Sequence, residues 1–114
     1  MRIINKTRNR LIAENGRFAD TVISRLVGLL NQSSISPGEA LVITECRSIH
    51  MLFMRFSIDV IFVDRKNKVV GVVHQIQPFR MSPYFFRANK AIEISPGIIN
   101  KTQTIVGDEI EFLG

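Results

Sequence analysis

The chain is poor in the residues that carry most protein chemistry. Among its 114 residues there is one cysteine, no tryptophan and only two histidines. The single thiol, Cys46, cannot form an internal disulfide, and a zinc centre built on several thiolates is excluded. Cysteine usage of this kind fits a reducing compartment, so the expected location is cytoplasmic. Long apolar runs are missing as well. Nothing approaches the ~20 residues that span a bilayer. The opening "MRIINKTRNRLIAENG" is too broken by charges and amides to serve as a signal segment. No membrane partner is expected, no motif points to a cofactor, and neither internal repeats nor low-complexity segments occur.

What is present is ordinary for a globular protein: 46% hydrophobic and 22% charged residues. The length suits one domain, residues 1–114, able to bury a core without staples. The balance of 15 Lys and Arg against 10 Asp and Glu gives a net charge of +5. That charge permits a nucleic-acid partner. The basic residues are scattered rather than blocked, however, so a solvated basic surface is the plainer reading and nucleic acid is not favoured.

Most of the chain reads as short strands. "RIIN" and "RLIAENG" are two of them, joined by a turn at "KTRN", and Asn15-Gly16 is read as the turn that closes the second. In "ADTVISRLVGLLN", Asp20 caps a predicted helix whose Val22, Ile23, Leu26, Leu29 and Leu30 form one apolar stripe. "ALVIT" is a strand. Ile58–Val63 and Val69–Ile76, rich in β-branched residues, form a hairpin around "DRKNK". "QPFRMSPYFFRAN" is a long connection, "KAIEIS" a strand, "PGIINKTQ" one helical turn with Pro96 at its start, and "VGDEIEF" a turn and strand. Seven or eight short strands, one packed α-helix and no βαβ alternation predict a mainly β protein, a sandwich or a partly closed barrel.

Within "SIHMLFMRFSIDVIFVD" the alternation of an extended chain puts Phe56, Ile58, Val60 and Phe62 on one face and Arg55, Ser57 and Asp59 on the other. Arg55 and Asp59 stand about 13 Å apart in a straight strand and cannot pair directly. A carboxylate inside an apolar run must be paired or hydrogen-bonded. Arg25 on the predicted helix is its expected partner, followed by His50. Arg25, Asp59 and Glu93 are read as structural polar residues. His50, a lone histidine among apolar neighbours, reads first as a packed residue and second as a ligand contact or acid–base group.

Together these stretches carry a resemblance. The chain has an Arg-x-x-Gly-Leu segment at Arg25, Gly28 and Leu29. It has a His-x-x-x-Met-Arg-Phe-x-Ile-Asp block at His50, Met54, Arg55, Phe56, Ile58 and Asp59. Glu93 with Gly97, and Gly107 with Asp108, complete the series. In order and spacing, over roughly residues 17–113, it resembles the family called domain of unknown function 192. Leu30, Ser57 and the Leu41–Ile43 stretch depart from the family's usual residues by packing changes only. The resemblance implies a compact β-rich fold and no particular activity.

Three chemistries were weighed. His50, His74 and Asp59 meeting across strands would make a metal site, but two histidines are few for one, and none is predicted. Cys46 with His50 four residues on would make a nucleophile and base, yet a small buried cysteine is commoner. "PFRMSPYFFRANK" interleaves Phe79, Tyr84, Phe85 and Phe86 with Arg80, Arg87 and Lys90. Such a mixture serves protein partners and single-stranded nucleic acids alike, unless the rings simply fold back onto the core.

The expected function is a binding module for a polar or anionic small ligand or a partner protein. Its cleft would be bordered by His50, Arg55, Phe79, Arg80, Tyr84 and Arg87. The rival is a small hydrolase-like enzyme using His50, Asp59 and Glu93 as acid–base groups. A nucleic-acid-binding accessory protein is the third alternative.

Overall fold

The computed structural model describes residues 1–19, 35–51 and 54–114. Strands β1 (Arg2–Asn5), β2 (Arg10–Ala13), β3 (Asn15–Ala19), β4 (Glu39–Thr44), β5 (Ile58–Val63), β6 (Val69–Ile76), β7 (Lys90–Ile94) and β8 (Ile110–Leu113) are joined by one short helix, α1 (Ile98–Thr102). The protein is mainly β, with eight strands in two sheets and no closed barrel among the described residues. The three-stranded sheet runs β2-β1-β8 and the five-stranded sheet β3-β4-β7-β5-β6. The predicted helix around Arg25 and Gly28 lies outside the described residues. No helix among the described residues is long and apolar enough to cross a membrane.

The β5–β6 hairpin forms where the β-branched runs predict it. Its turn is closed by Asp64, whose Oδ1 accepts the amides of Lys66 at 2.9 Å and Lys68 at 3.0 Å. Asn67 takes the left-handed conformation there, one that asparagine tolerates.

Asn15-Gly16 is a different matter. The pair opens β3 rather than closing a turn, and β3 pairs parallel with β4. The amide of Asn15 reaches Gly38 O at 2.9 Å, and the amide of Gly16 reaches Met1 O at 2.7 Å. Long-range partners thus claim a dipeptide whose local preference is a turn. A parallel pair needs a crossover connection. Residues 20–38 run between the two strands.

Both faces of the five-stranded sheet are covered. Leu41, Ile43, Val60, Phe62 and Ala91 face a layer containing Ile49, Met51 and Met54. Ala40, Val42, Ile61, Val63, Ile92 and Ile94 face Ile3 and Ile110 of the smaller sheet and Ile98 and Ile99 of α1. Every residue of β5 is therefore buried. That explains why "IDVIFV" is almost continuously apolar instead of alternating.

The long connection of residues 77–89 closes over the first face by inserting one ring. Phe85 packs on Phe62 with centroids 4.5 Å apart. It lies against the backbone of Gly71 on β6, where an added Cβ would run into the ring. Glycine here is a space requirement.

A polar clasp ties the β1–β2 turn to the turn before β8. Asp108 accepts Arg8 Nε at 3.0 Å and Arg8 Nη2 at 3.2 Å. It also accepts Asn5 Nδ2 at 2.9 Å and the amide of Ile105 at 3.1 Å. Burial raises the Asp108 carboxyl, but the hydrogen bonds from Arg8, Asn5 and Ile105 and the Arg8 charge outweigh it, leaving the group below the usual carboxylate range. The Gly107-Asp108 pair is the expected turn; its carboxylate is in addition one half of an ion pair.

Two predictions follow from this packing. Gly71→Ala should destabilise the protein by about 1–3 kcal/mol through overpacking. In a Phe85→Ala background it should cost nothing, because the ring is gone and a flexible glycine is removed. Urea denaturation of the four proteins in the cycle measures the coupling. Asp108, with its folded pKa depressed, contributes stability above the unfolded value of about 3.9 and loses it as pH falls through the folded value. Denaturation midpoints between pH 5 and 2 should therefore fall less steeply for Asp108→Asn than for the wild type.

Candidate functional site

The register of the large sheet brings three loops together. Thr44 of β4 and Val63 of β5 both pair with Lys90 of β7. The chain leaving β4, the chain leaving β5 and the chain entering β7 therefore meet at one end of the sheet. Two backbone bonds join them: the Cys46 amide to Asn89 O at 3.2 Å, and the Asn89 amide to Val63 O at 2.7 Å. Between them opens a cleft of about 1190 Å³, lined from 45–48, 64–66, Tyr84 and 86–89.

Four cations, Arg47, Arg65, Lys66 and Arg87, line this cleft against two carboxylates, Glu45 and Asp64. Asp64 is already engaged by the amides of its own turn. Arg47 Nη1 donates to the hydroxyl of Tyr84 at 3.3 Å, which sets a guanidinium at the polar edge of an exposed ring. Cys46 also lines the cleft, with its thiol directed to Ser48 O at 3.2 Å.

From the cleft a ribbon runs along the edge of the core. Phe85 N–H bonds Arg47 O, Ser82 N–H bonds Ile49 O, and Met51 and Phe79–Arg80 exchange backbone hydrogen bonds of 2.7 and 2.8 Å. His50 bridges Met81 within this ribbon. Burying Phe85 leaves the other three aromatic side chains outside: Phe79, Tyr84 and Phe86 are 69%, 63% and 76% exposed. Phe79 is held at a φ of 65°, a conformation that bulky side chains rarely adopt. One aromatic of the four folds back onto the core; the rest are displayed.

The sequence-predicted residues fall in different places. Tyr84 and Arg87 line the cleft, and His50, Phe79 and Arg80 lie on the adjoining ribbon. Arg55 is exposed and does not line the cleft. The cleft residues that sequence reasoning missed, Arg47, Arg65 and Lys66, sit in short turns read only as connections. Phe86 was visible in the aromatic run but not singled out.

Asp59 and Glu93 are fully buried. Asp59 pairs with Ile94, whereas Glu93 pairs with Val60, so the two carboxylates project from opposite faces of the sheet. One acid–base pair cannot be made of them. Asp59 Oδ2 accepts the amides of Gly97 and Ile99, each at 3.0 Å, at the start of α1. Oδ1 accepts the amide of Gln75 at 2.8 Å. Gln75 sits at a bulge where β6 carries an extra residue against β5 and takes a φ of 47°. Asp59 thus supplies from a neighbouring strand the cap that Gly97 has no side chain to provide. Its expected partner Arg25 lies outside the described residues. Glu93 is packed between Leu41 and Val60. His74 is exposed on β6, and no three His, Cys, Asp or Glu among the described residues converge as a metal site requires.

The model of domain of unknown function 192, described as "Uncharacterized ACR", matches residues 3–112, and the chain belongs to that family. A UPF0127 protein of Thermococcus sibiricus is 33% identical over 114 residues, covering 96% of this chain and 73% of the relative. One of Pyrococcus furiosus is 34% identical over 116 residues, covering 96% of this chain and 97% of the relative. Among solved structures, a protein of unknown function from Novosphingobium aromaticivorans superposes with a TM-score of 0.82 at 18% identity, covering 98% of this chain and 84% of that one. A putative transcription regulator from Sinorhizobium meliloti gives 0.75 at 17% identity, covering 96% and 89%. At these identities the two structures share the fold.

Replacing Asp59 strips three buried or part-buried amides of their acceptor. Asp59→Ala should cost about 3 kcal/mol or more, and Asp59→Asn, which keeps one acceptor oxygen, clearly less. Chemical denaturation of the two variants tests the order; equal losses would mean that the amides are not what the carboxylate serves.

Proposed function

We propose that the protein is a binding module for a polyanionic ligand, held in the cleft at the β4–β7–β5 end of the large sheet. The observation that supports this is the set of four cationic side chains around one open cleft, with one of its two acids already committed to a turn. Clustered cations on low-dielectric walls raise the local concentration of anions and orient them. Arginine in particular presents paired donors that match phosphate or carboxylate oxygens. The ribbon with His50, Phe79 and Arg80 extends the same surface, and Arg55 is a more distant candidate. The fold offers no assembled acid–base pair of Asp59 and Glu93, which favours binding over hydrolysis. The lone cysteine suits a reducing compartment, and we place the module in the cytoplasm.

Isothermal titration with tripolyphosphate at low salt tests the reading. Binding is expected, weakened about tenfold by Arg47→Ala or Arg87→Ala, in line with one charge-assisted hydrogen bond lost. Lys101→Ala, exposed on α1, should leave it unchanged. Absence of binding at low salt, or equal loss in all three variants, would rule the cleft out as an anion site.

A further inference from the structure

The cleft carries more than charge, and what it carries besides narrows the ligand. Resting on the anion-binding reading above, we infer that the ligand is a single-stranded nucleic acid, its phosphates held by the cations and its bases stacked on the displayed rings. Two observations on the structure lead there.

Aromatic faces and guanidinium groups alternate along one stretch. Tyr84 and Phe86 flank the half-buried Phe85, and both line the cleft beside Arg47 and Arg87. Farther along the ribbon, exposed Phe79 stands next to exposed Arg80. A compact inorganic anion would use the cations and leave the rings idle. A folded duplex would offer phosphates but keep its base faces stacked away from them. An unpaired strand presents both a charge and a π-face at every nucleotide, and stacking on aromatic side chains tolerates any base.

The second observation is how the rings are held. Phe79 keeps its left-handed backbone because its own amide and that of Met51 are tied across the ribbon. Tyr84 is joined to Arg47 through its hydroxyl, and Phe85 anchors the loop between Phe62 and Gly71. The loop is fastened from beneath while three large rings stay in solvent. A prearranged platform of this kind loses little freedom when a flexible strand settles on it.

Charge complementarity separates this from a protein partner. Five basic side chains, Arg47, Arg65, Lys66, Arg80 and Arg87, accompany the three rings. The core of a protein interface is depleted of charged residues, whereas four cations line this cleft. The net charge of +5 favours the same kind of polyanion at long range.

The test uses fluorescence anisotropy with a labelled oligouridylate and an oligomer of the same length and charge lacking bases. The normal strand is expected to bind at least about tenfold more tightly than the abasic one. Tyr84→Ala and Phe86→Ala should each remove most of that advantage, lowering affinity for the normal strand several times more than affinity for tripolyphosphate. Both positions are exposed, and circular dichroism of each variant checks whether it folds. Affinity for the normal strand should fall with a log–log salt slope of about −2 to −3, as for three or four phosphate contacts. If abasic and normal strands bind equally while tripolyphosphate still binds, the anion site stands and the nucleic-acid assignment falls. Retained strand binding in Tyr84→Ala and Phe86→Ala alike would overturn it equally. If neither strand nor tripolyphosphate binds, both readings fall together, and the displayed rings belong to a protein partner instead.

Discussion

The ring of Phe85 occupies the space that Gly71 leaves by having no side chain, and it stacks against Phe62 in the centre of the large sheet. Full burial of a phenylalanine is worth roughly 2 kcal/mol; half-buried Phe85 gains part of that, and its offset contact with Phe62 adds to it. More consequential is what this contact does to the chain on either side. Residues 77–89 contain no strand and no helix, so nothing regular fixes their path. One deeply seated ring, together with the backbone bonds to Arg47, Ile49 and Met51, fixes it instead. Tyr84 and Phe86 then have no room in the core and are presented to solvent on the two sides of the anchor. The display of these two rings follows from one glycine opposite one phenylalanine.

The two well-buried aspartates of the other layer play a comparable part by polar means. Asp59 and Asp108 each collect donors from segments remote in the chain: α1 and the β6 bulge in one case, Asn5 and Arg8 at the β1–β2 turn in the other, where the local amide of Ile105 joins them. A buried carboxylate without donors would be costly, and with three or four it becomes a tie. Its geometry is demanding, since the donors must be placed by more than one segment of the fold. This serves specificity of fold as much as stability. It also explains why the carboxylates that look most reactive in the sequence are occupied by the protein itself.

How much of this was legible beforehand depended on distance along the chain. The β5–β6 hairpin was readable because two runs rich in β-branched residues and a turn rich in Asp, Lys and Asn all lie within twenty consecutive residues. The burial of Asp59 was readable from its apolar surroundings; its backbone partners were not, because an amide donor has no sequence signature. Asn15-Gly16 misled for the opposite reason. Its local preference is strong, and it was overridden by hydrogen bonds to Met1 and Gly38, which no local pattern announces. The cleft was the least legible feature. Its walls come from 45–48, 64–66 and 84–89, and they meet only because Thr44, Lys90 and Val63 fall in register across β4, β7 and β5. Tyr84 and Arg87 were reachable from composition, Arg65 and Lys66 only from topology.

Exposed aromatic side chains carry a cost that a protein sheds unless something opposes it. Three large rings in one patch invite self-association, and a bulky residue at positive φ adds strain of order 1 kcal/mol or more. A chain free to relieve both would let Phe79 relax and turn Tyr84 and Phe86 inward. Here the hydrogen bonds that hold residues 79–85 to residues 47–51 prevent the first, and the seating of Phe85 prevents the second. Interleaved arginines offset the tendency to aggregate, since like-charged patches repel one another. The same arginines are what a phosphate chain would neutralise. A surface that keeps copies of itself apart by charge, while holding flat apolar faces in place, would discriminate, on the reading proposed above, in favour of ligands that are themselves anionic and planar.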